Sequence, residues 1–596
     1  MRSRLDLLFI LVLLMLLLLP VHLHADAPRY RVALITVHGK TGETIEESAA
    51  RRALQAMGIP YDVVAPSTLN AGYPVAILPG PLYNGSLSSA QREAVYRFVS
   101  SGGLLMATQI EGSEWFPLFG IERAAVGRDR FRIRFSAGVE DGWLRYLDHP
   151  NEREISLGDP KVFTETIWTI GYAIKDARVL AQFTDGAGAV VVNDYDAGQA
   201  LALGVSLSQA VLLAQVGQGY EAGRQWINSF EPSGDGFLLL LKGLYESSAR
   251  PAIFWHTVPR GLETAIVLTH DVDARESFVN SVTFARLAQR YGVRSTFFVT
   301  TKIFQDEEDI GYYDASRIPF IAEAKALGAE IGSHSFSHSR RFAKFPMGSA
   351  SVTAKTYRPN DSPTILGEVQ ASKELLDRDL PGQQTVSFRA GELAFPPRLI
   401  EALDMTGYRY DSTFSANNVI TNFPFFAFER NELGARETNL VEIPVTVDDS
   451  QGYLTRETRD QVVRTWTEII EGNRANGAMT CILIHPTDVT YKLEVLERLL
   501  KRYSRENVWI GNVAALGEFW ARRVGIDFRL AVDEDRLTVH LTGKADALGS
   551  DLALVIAGTA KEARILDRDG QEIPYRTIQL GGKYLLVLQP VIQRGH

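Results

Sequence analysis

Four polar clusters in the second half of the chain share one placement. Thr269-His270-Asp271-Val272-Asp273, His334-Ser335-Phe336-Ser337-His338, Arg389-Ala390-Gly391 and His485-Pro486 each directly follow a short apolar run. Two histidines four residues apart lie on one face of a helical turn and grip one metal ion. A carboxylate from another strand end completes three protein ligands and leaves a fourth position for water, the pattern of a catalytic zinc site. His334, His338 and Asp273 fit that set. A metal held this way lowers the pKa of its water toward ~7 and polarises a carbonyl. Asp271 then serves as general base, and His485 as general acid for a leaving amine. Arg389 holds Asp271 ionised through a charge-assisted pair. The expected cofactor is Zn2+ or another divalent transition metal.

Each of these residues also has a plainer reading. An isolated His-x-x-x-His is more often a solvated or capping pair than a ligand pair. Asp271 and Asp273 suit a helix N-cap, His485 before proline suits a loop, and His270 reads as a packed side chain. Cys481, within an apolar run, reads as a small buried hydrophobe. Tyr312 and Tyr313 read as packing, with sugar stacking the sharper alternative. The shared strand-end placement is what favours chemistry for the four clusters.

Placing them on one rim requires parallel strands alternating with helices. Strands are expected at Ala265–Leu268, Thr296–Val299, Ala329–Ile331, Thr385–Phe388, Leu440–Val445, Thr480–Ile484 and Val508–Ile510. Helices are expected at Phe278–Tyr291, Ile318–Leu327, Leu366–Asp377, Pro397–Met405, Arg459–Asn473 and Leu493–Tyr503. Gly292, Gly328 and Gly407 stand where helix C-caps belong. About seven β/α repeats over residues 262–521 predict a β/α barrel, complete or incomplete, whose C-terminal strand ends share the face where active sites form.

Residues 26–245 alternate strand and helix, which predicts a doubly wound α/β domain with a mostly parallel sheet and helices on its faces; the pattern resembles flavodoxin-like or amidotransferase-like folds. Val32–Ile35, Tyr61–Val64, Val75–Leu78 and Leu104–Ala107 read as its strands, with Ala189–Asn193 and Ala200–Val205 added around a turn. Its glycines read as turns, since none matches a phosphate-binding P-loop. Residues 527–596 alternate apolar and polar positions with period two, as at Leu537, Val539 and Leu541, and predict a small antiparallel β-sandwich. A spacer and a carbohydrate-binding role are both open for it.

The 596 residues exceed one core, and three or four units are expected. A net charge of −9 and a pI near 5.8 give no basic footprint for nucleic acid. Arg2 and Arg4, the apolar run Leu7 to Leu19, Pro20 and Leu23-His24-Ala25 follow the layout of a secretory signal peptide over residues 1–25. The run is shorter than the ~20 residues of a spanning helix. An exported, periplasmic or extracellular protein is expected, with an uncleaved anchor and a peripheral association with the membrane or cell envelope left open. One cysteine makes no internal disulfide.

The clusters resemble the NodB-type polysaccharide deacetylases, carbohydrate esterase family 4, over about residues 262–521. That family's His-Ser/Thr-x-x-His motif is matched at every fixed position by His334-Ser335-Phe336-Ser337-His338. Its Thr-Phe-Asp-Asp motif appears as Thr269-His270-Asp271-Val272-Asp273, with the carboxylates spread by one residue. The resemblance carries the base role to Asp271 and the ligand role to Asp273; the reverse remains conceivable. Arg389 matches the Arg-x-Pro-x-aromatic motif, with Gly391 in the proline position and Phe395 as the aromatic. Leu483-Ile484-His485 matches Leu-x-His. The Asp-rich fourth motif has no clear counterpart, and Glu442 or Asp448-Asp449 are the candidates. The first unit loosely resembles the class I glutamine amidotransferase-like fold but has no cysteine nucleophile, which implies a non-catalytic scaffold or binding domain.

The family implies a distorted (β/α)7 barrel and hydrolysis of an N-acetyl amide, a non-peptide C–N bond, on an amino sugar of a polysaccharide substrate, with a divalent metal. Two alternatives stand beside it: hydrolysis of another amide or an O-acetyl ester, and an inactive barrel acting as a glycan-binding or assembly protein.

Overall fold

The structure, a computed structural model, describes residues 30–589 except 37–41, 137–141, 159–167, 217–227, 308, 415–418, 431, 451, 534–535 and 558–561. The expected signal segment lies outside the described residues. No helix among the described residues is long and apolar enough to cross a membrane.

The first unit is built on a mixed sheet. Its parallel part runs Tyr61–Val64, Val32–Ile35, Val75–Leu78, Leu104–Thr108, Gly198–Leu203. The hairpin of Gly188–Tyr195 with Gly198–Leu203 then turns the sheet antiparallel. The central strands Val32–Ile35, Val75–Leu78 and Leu104–Thr108 are buried along their whole length, as strands covered on both faces are, while the edge strand Tyr61–Val64 is partly exposed. Ile45–Ala56 and Ser89–Ser100 each start at a complete capping box, Thr44 with Glu47 and Ser88 with Gln91. The helix Gly236–Ser248 buries most of its length in the same core.

The barrel sheet contains all seven expected strands. Its order is Phe425–Phe428, Glu437–Glu442, Tyr410–Asp411, Ser387–Phe388, Glu330–Ser333, Thr296–Val299, Thr264–Val272, Met479–Leu483, Val447–Asp448. Val508–Gly511 pairs the first half of Thr264–Val272. Among the described residues the sheet ends at Val447–Asp448 on one side and Phe425–Phe428 on the other, an open barrel. Tyr410–Asp411, Phe425–Phe428 and Val447–Asp448 escaped the sequence reading; two of them are two residues long, too short for a periodic signal. The helix Val513–Gly525 was also not anticipated. Gly292, Gly328 and Gly407 close their helices at φ of +68°, +99° and +75°, a region glycine enters freely.

The C-terminal unit differs from the expectation in two respects. It forms two small sheets, and in one of them Arg536–Leu541 pairs Glu562–Leu566 in parallel. The other is completed by Ala252–Trp255, a strand from the segment that precedes the barrel. The four apolar residues Ala-Ile-Phe-Trp are fully covered there. A strand so far away in sequence gives no periodic signal of the sandwich it joins.

Candidate active site

The strand register explains why distant clusters meet. Asp271 lies beside Phe298, Val299 beside Ser333, and Ser333 beside Phe388. On the other side Thr269 lies beside Leu483. Asp271, His334, Arg389 and His485 therefore leave neighbouring strands at one rim. A cavity of about 190 Å³ opens there, lined by Asp271, Asp273, His334, His338, Asp448 and His485, with Glu392 and Leu393 at its side.

One donor atom from each of Asp273, His334 and His338 falls within 4.8 Å of the others. His338 Nε2 is 3.6 Å from Asp273 Oδ2. His334 donates its Nδ1–H to the Arg389 carbonyl at 2.9 Å, which leaves the Nε2 lone pair available to a cation. Burial pushes both imidazoles down, toward the neutral form that ligates. Two imidazoles and one carboxylate are a donor set suited to zinc and similar divalent ions. Asp273 does not cap the following helix, whose N-cap is Ala274 with no side-chain bond.

The helical turn expected for the two histidines is not there. Residues 334–338 form a loop with φ of +65° at Ser335 and +57° at His338. A buried carboxylate replaces the helical hydrogen bonds. Glu368 accepts the backbone N–H groups of Phe336 at 3.0 Å and Ser337 at 2.7 Å, and the Tyr357 hydroxyl at 2.8 Å. The Ser335 hydroxyl accepts the His338 N–H at 3.2 Å. The histidine rings end 5.0 Å apart, centroid to centroid. Gly391 closes the other side: a Cβ there would sit 2.7 Å from His338 Cδ2 and 3.0 Å from its Cα. Proline carries a Cβ as well, so the backbone at this spot accounts for glycine in the family's proline position.

Arg389 is fully buried, and all three of its side-chain nitrogens donate hydrogen bonds. Nη1 donates to Asp271 Oδ1 and Thr269 Oγ1, both at 2.9 Å; Nε donates to the Ser412 carbonyl at 2.9 Å and Nη2 to Ser412 Oγ at 2.8 Å. Its guanidinium stacks on Phe298 at 4.5 Å. Burial by itself would raise the Asp271 pKa. Neighbouring positive charge outweighs it and holds the carboxyl below the usual range, and Arg389 supplies that charge whether or not the His334 imidazole is neutral. Asp271 therefore stays ionised and keeps Oδ2 on the cavity side, 3.5 Å from His334 Nε2.

His485 has the opposite bias. Burial opposes its charge, but Asp449 and then Asp273 outweigh that and raise its pKa well above the ordinary value. Its Nδ1–H donates to Asp449 Oδ1 at 2.6 Å, and its backbone N–H reaches Asp449 Oδ2 at 3.1 Å. Lys492 pairs with the same carboxylate at 2.7 Å. The imidazolium is thus held with Nε2 toward the cavity, 3.6 Å from Asp273 Oδ2.

Of the fourth-motif candidates, Asp449 is the residue that touches His485, and Asp448 lines the cavity. Glu442 lies behind the site against Asp411. Burial pushes Asp411 up to about 6 and Glu442 well above its ordinary value, and one shared proton satisfies the pair. His270 packs on Phe284 and Phe297 and donates Nδ1–H to the Ile484 carbonyl at 3.0 Å. Tyr312, Tyr313 and Phe395 are buried, so none offers a sugar platform. Glu368, Tyr357 and Lys492 escaped the sequence reading. They lie on helices and loops, outside the polar clusters at strand ends.

Residues 260–410 match the family model of polysaccharide deacetylase, and residues 51–222 match that of the beta-galactosidase trimerisation domain. No curated protein matches the chain. Among solved structures, a putative polysaccharide deacetylase from Mycobacterium smegmatis is 18% identical, covers 43% of this chain and 90% of its own, and has a TM-score of 0.33. A CE4 family pseudoenzyme from Bacillus anthracis is 14% identical, covers 42% and 65%, and has a TM-score of 0.27. A beta-galactosidase from Bacillus circulans sp. alkalophilus is 17% identical, covers 39% and 34%, and has a TM-score of 0.26. At scores this low the two family matches carry the assignment. The first unit's match is to a trimerisation domain rather than to an amidotransferase. The barrel of this chain is thus similar to the polysaccharide deacetylase family over residues 260–410.

Proposed function

We propose that this protein is a metal-dependent hydrolase that removes N-acetyl groups from the amino sugars of an extracytoplasmic polysaccharide. One observation carries the reading: a three-donor cluster, an arginine-paired carboxylate and a carboxylate-paired imidazole open on one cavity. Asp273, His334 and His338 hold the ion, which when bound supplies Lewis acidity for the acetyl carbonyl and for water. Asp271, kept ionised by Arg389, accepts a proton from the attacking water at Oδ2. His485, kept protonated by Asp449, gives its Nε2 proton to the departing nitrogen. The C–N bond breaks, and free amine and acetate leave. Opposed pKa biases within one cavity suit one group acting as base and the other as acid. Export rests on the charged, apolar and small-residue pattern of residues 1–25.

Acetate release from N-acetylglucosamine oligomers, with metal content assayed alongside, tests the reading on wild type, His334→Ala and His485→Ala. Metal-dependent release is expected in wild type. His334→Ala should lose metal and release together, while His485→Ala should keep metal and lose turnover. Bound metal without release would redirect the search to another amide or an O-acetyl ester. Neither metal nor release would favour a binding protein.

A further inference from the structure

The barrel sheet stops at Val447–Asp448, and the residue after that strand is Asp449, which holds His485. A strand of two residues, paired on one side to Met479–Leu483, has little of its own to fix it. Its other edge is met by a side chain from outside the barrel. Asn228 belongs to the segment that leads from the N-terminal sheet into the helix Gly236–Ser248. Its Nδ2 donates to the Asp448 carbonyl at 2.9 Å, and its Oδ1 accepts the Asp448 N–H at 3.2 Å. The carboxamide thus takes the place of the peptide group of a missing neighbour strand. Trp466 Nε1, from the buried face of the helix Arg459–Asn476, donates to the same Oδ1 at 3.1 Å. Two donors on Oδ1 and one acceptor on Nδ2 fix the orientation of the amide.

The rest of the segment is tied down alongside. The Phe230 ring packs over Gly472 of the same barrel helix, and Gly234 N–H donates to the Ile420 carbonyl at 3.1 Å. Asp235 accepts the Thr421 hydroxyl at 2.6 Å and the Asn422 backbone N–H at 2.9 Å. Residues 228–235 therefore form a strap along the open side of the barrel, anchored at one end in the N-terminal core and at the other on the strand that carries the His485 partner.

We propose that Asn228 is a positioning residue for the reaction: by completing the edge of Val447–Asp448 it holds Asp449 where it keeps the His485 imidazole aligned, and so makes the N-terminal domain part of the site. The inference rests on the acid role proposed for His485, and its test separates the two. In the full chain, Asn228→Ala should lower kcat for acetate release roughly 10- to 100-fold, the scale of a misplaced catalytic group. KM and bound metal should stay within about twofold, because the donor cluster is not touched. Asn228→Asp keeps the size and both accepted bonds but sets a carboxylate oxygen against the Asp448 carbonyl, and should fall as far. In an Asp449→Asn background, Asn228→Ala should cost less than about twofold, since the group it positions is already impaired. Hydrogen–deuterium exchange reads the same coupling without substrate. Asn228→Ala should speed exchange at residues 446–450 and 483–487 and leave the strand Val32–Ile35 unchanged. If wild type releases no acetate, the deacetylase reading fails while the exchange result still decides the coupling. Unchanged exchange at 446–450 and 483–487, or an equal loss of kcat with and without Asp449, would overturn the proposal.

Discussion

Replacing Asp449 by asparagine removes one charge and almost no volume, and it isolates what the carboxylate does for His485. Asp449 accepts the His485 ring N–H at 2.6 Å, the His485 backbone N–H, and the Lys492 ammonium at 2.7 Å. The amide oxygen still accepts, but the stabilisation of a positive imidazole by a fully buried negative charge is gone. A hydrogen bond to a charged group contributes about 1.5–3 kcal/mol. If that difference appears wholly in the transition state, turnover at neutral pH falls roughly 10- to 150-fold, at 1.36 kcal/mol per factor of ten. The sign of the pH effect follows from the direction of the shift. Asp449 raises the His485 pKa, so asparagine lowers it, and the alkaline limb of the profile, where the acid loses its proton, moves to lower pH. The variant should lose most above neutrality and recover toward acid pH, with KM nearly unchanged. Acetate release across pH, with thermal melting to confirm folding, measures this. An alkaline limb at the wild-type position, with turnover reduced by the same factor at every pH, would refute His485 as an acid tuned by Asp449.

Glu368→Ala leaves the buried N–H groups of Phe336 and Ser337 without an acceptor, at about 1–3 kcal/mol each. Melting temperature and metal affinity should both fall, and unchanged metal affinity would separate Glu368 from the histidine loop. Gly391→Ala places a Cβ 2.7 Å from His338 Cδ2, so His338 must move. Metal titration should show weaker binding in a protein that melts close to wild type. Asp235, buried between strap and barrel, has its pKa raised by desolvation to about 7 from 3.8. A carboxyl raised in the folded state contributes stability fully present below 3.8 and lost as pH rises through about 7. Asp235→Asn should flatten that part of the stability profile relative to wild type in denaturant titrations; parallel profiles would count against it.

Most of the open barrel was legible because most of its longer strands are apolar and buried and the helices between them are bounded by glycines or prolines, so these elements left a local signal. The predicted strand Thr296–Val299 has the observed bounds, and the helix predicted at Ile318–Leu327 runs Ile318–Ala326. The conformation around the histidines was not legible. Spacing of i and i+4 favours a helix by default, whereas the loop with two left-handed residues is held by the Ser335 hydroxyl and by the buried Glu368 carboxylate, 32 residues beyond Phe336. The sandwich strand Ala252–Trp255 was hidden for a related reason, since its partners lie some three hundred residues away.

The sequence alone was enough to single out six polar residues at strand ends, Asp271, Asp273, His334, His338, Arg389 and His485, five of which line one cavity with Arg389 behind it. It did so because strand ends are marked locally, by apolar runs giving way to polar residues. What each of them touches was decided by contacts between distant parts of the chain. Arg389 reaches Asp271 from 118 residues away, Asp449 reaches His485 across 36, and Asn228 reaches Asp448 across 220. Ionisation and orientation depend on the nearest charges and hydrogen-bond partners in space, and no spacing along the chain encodes them.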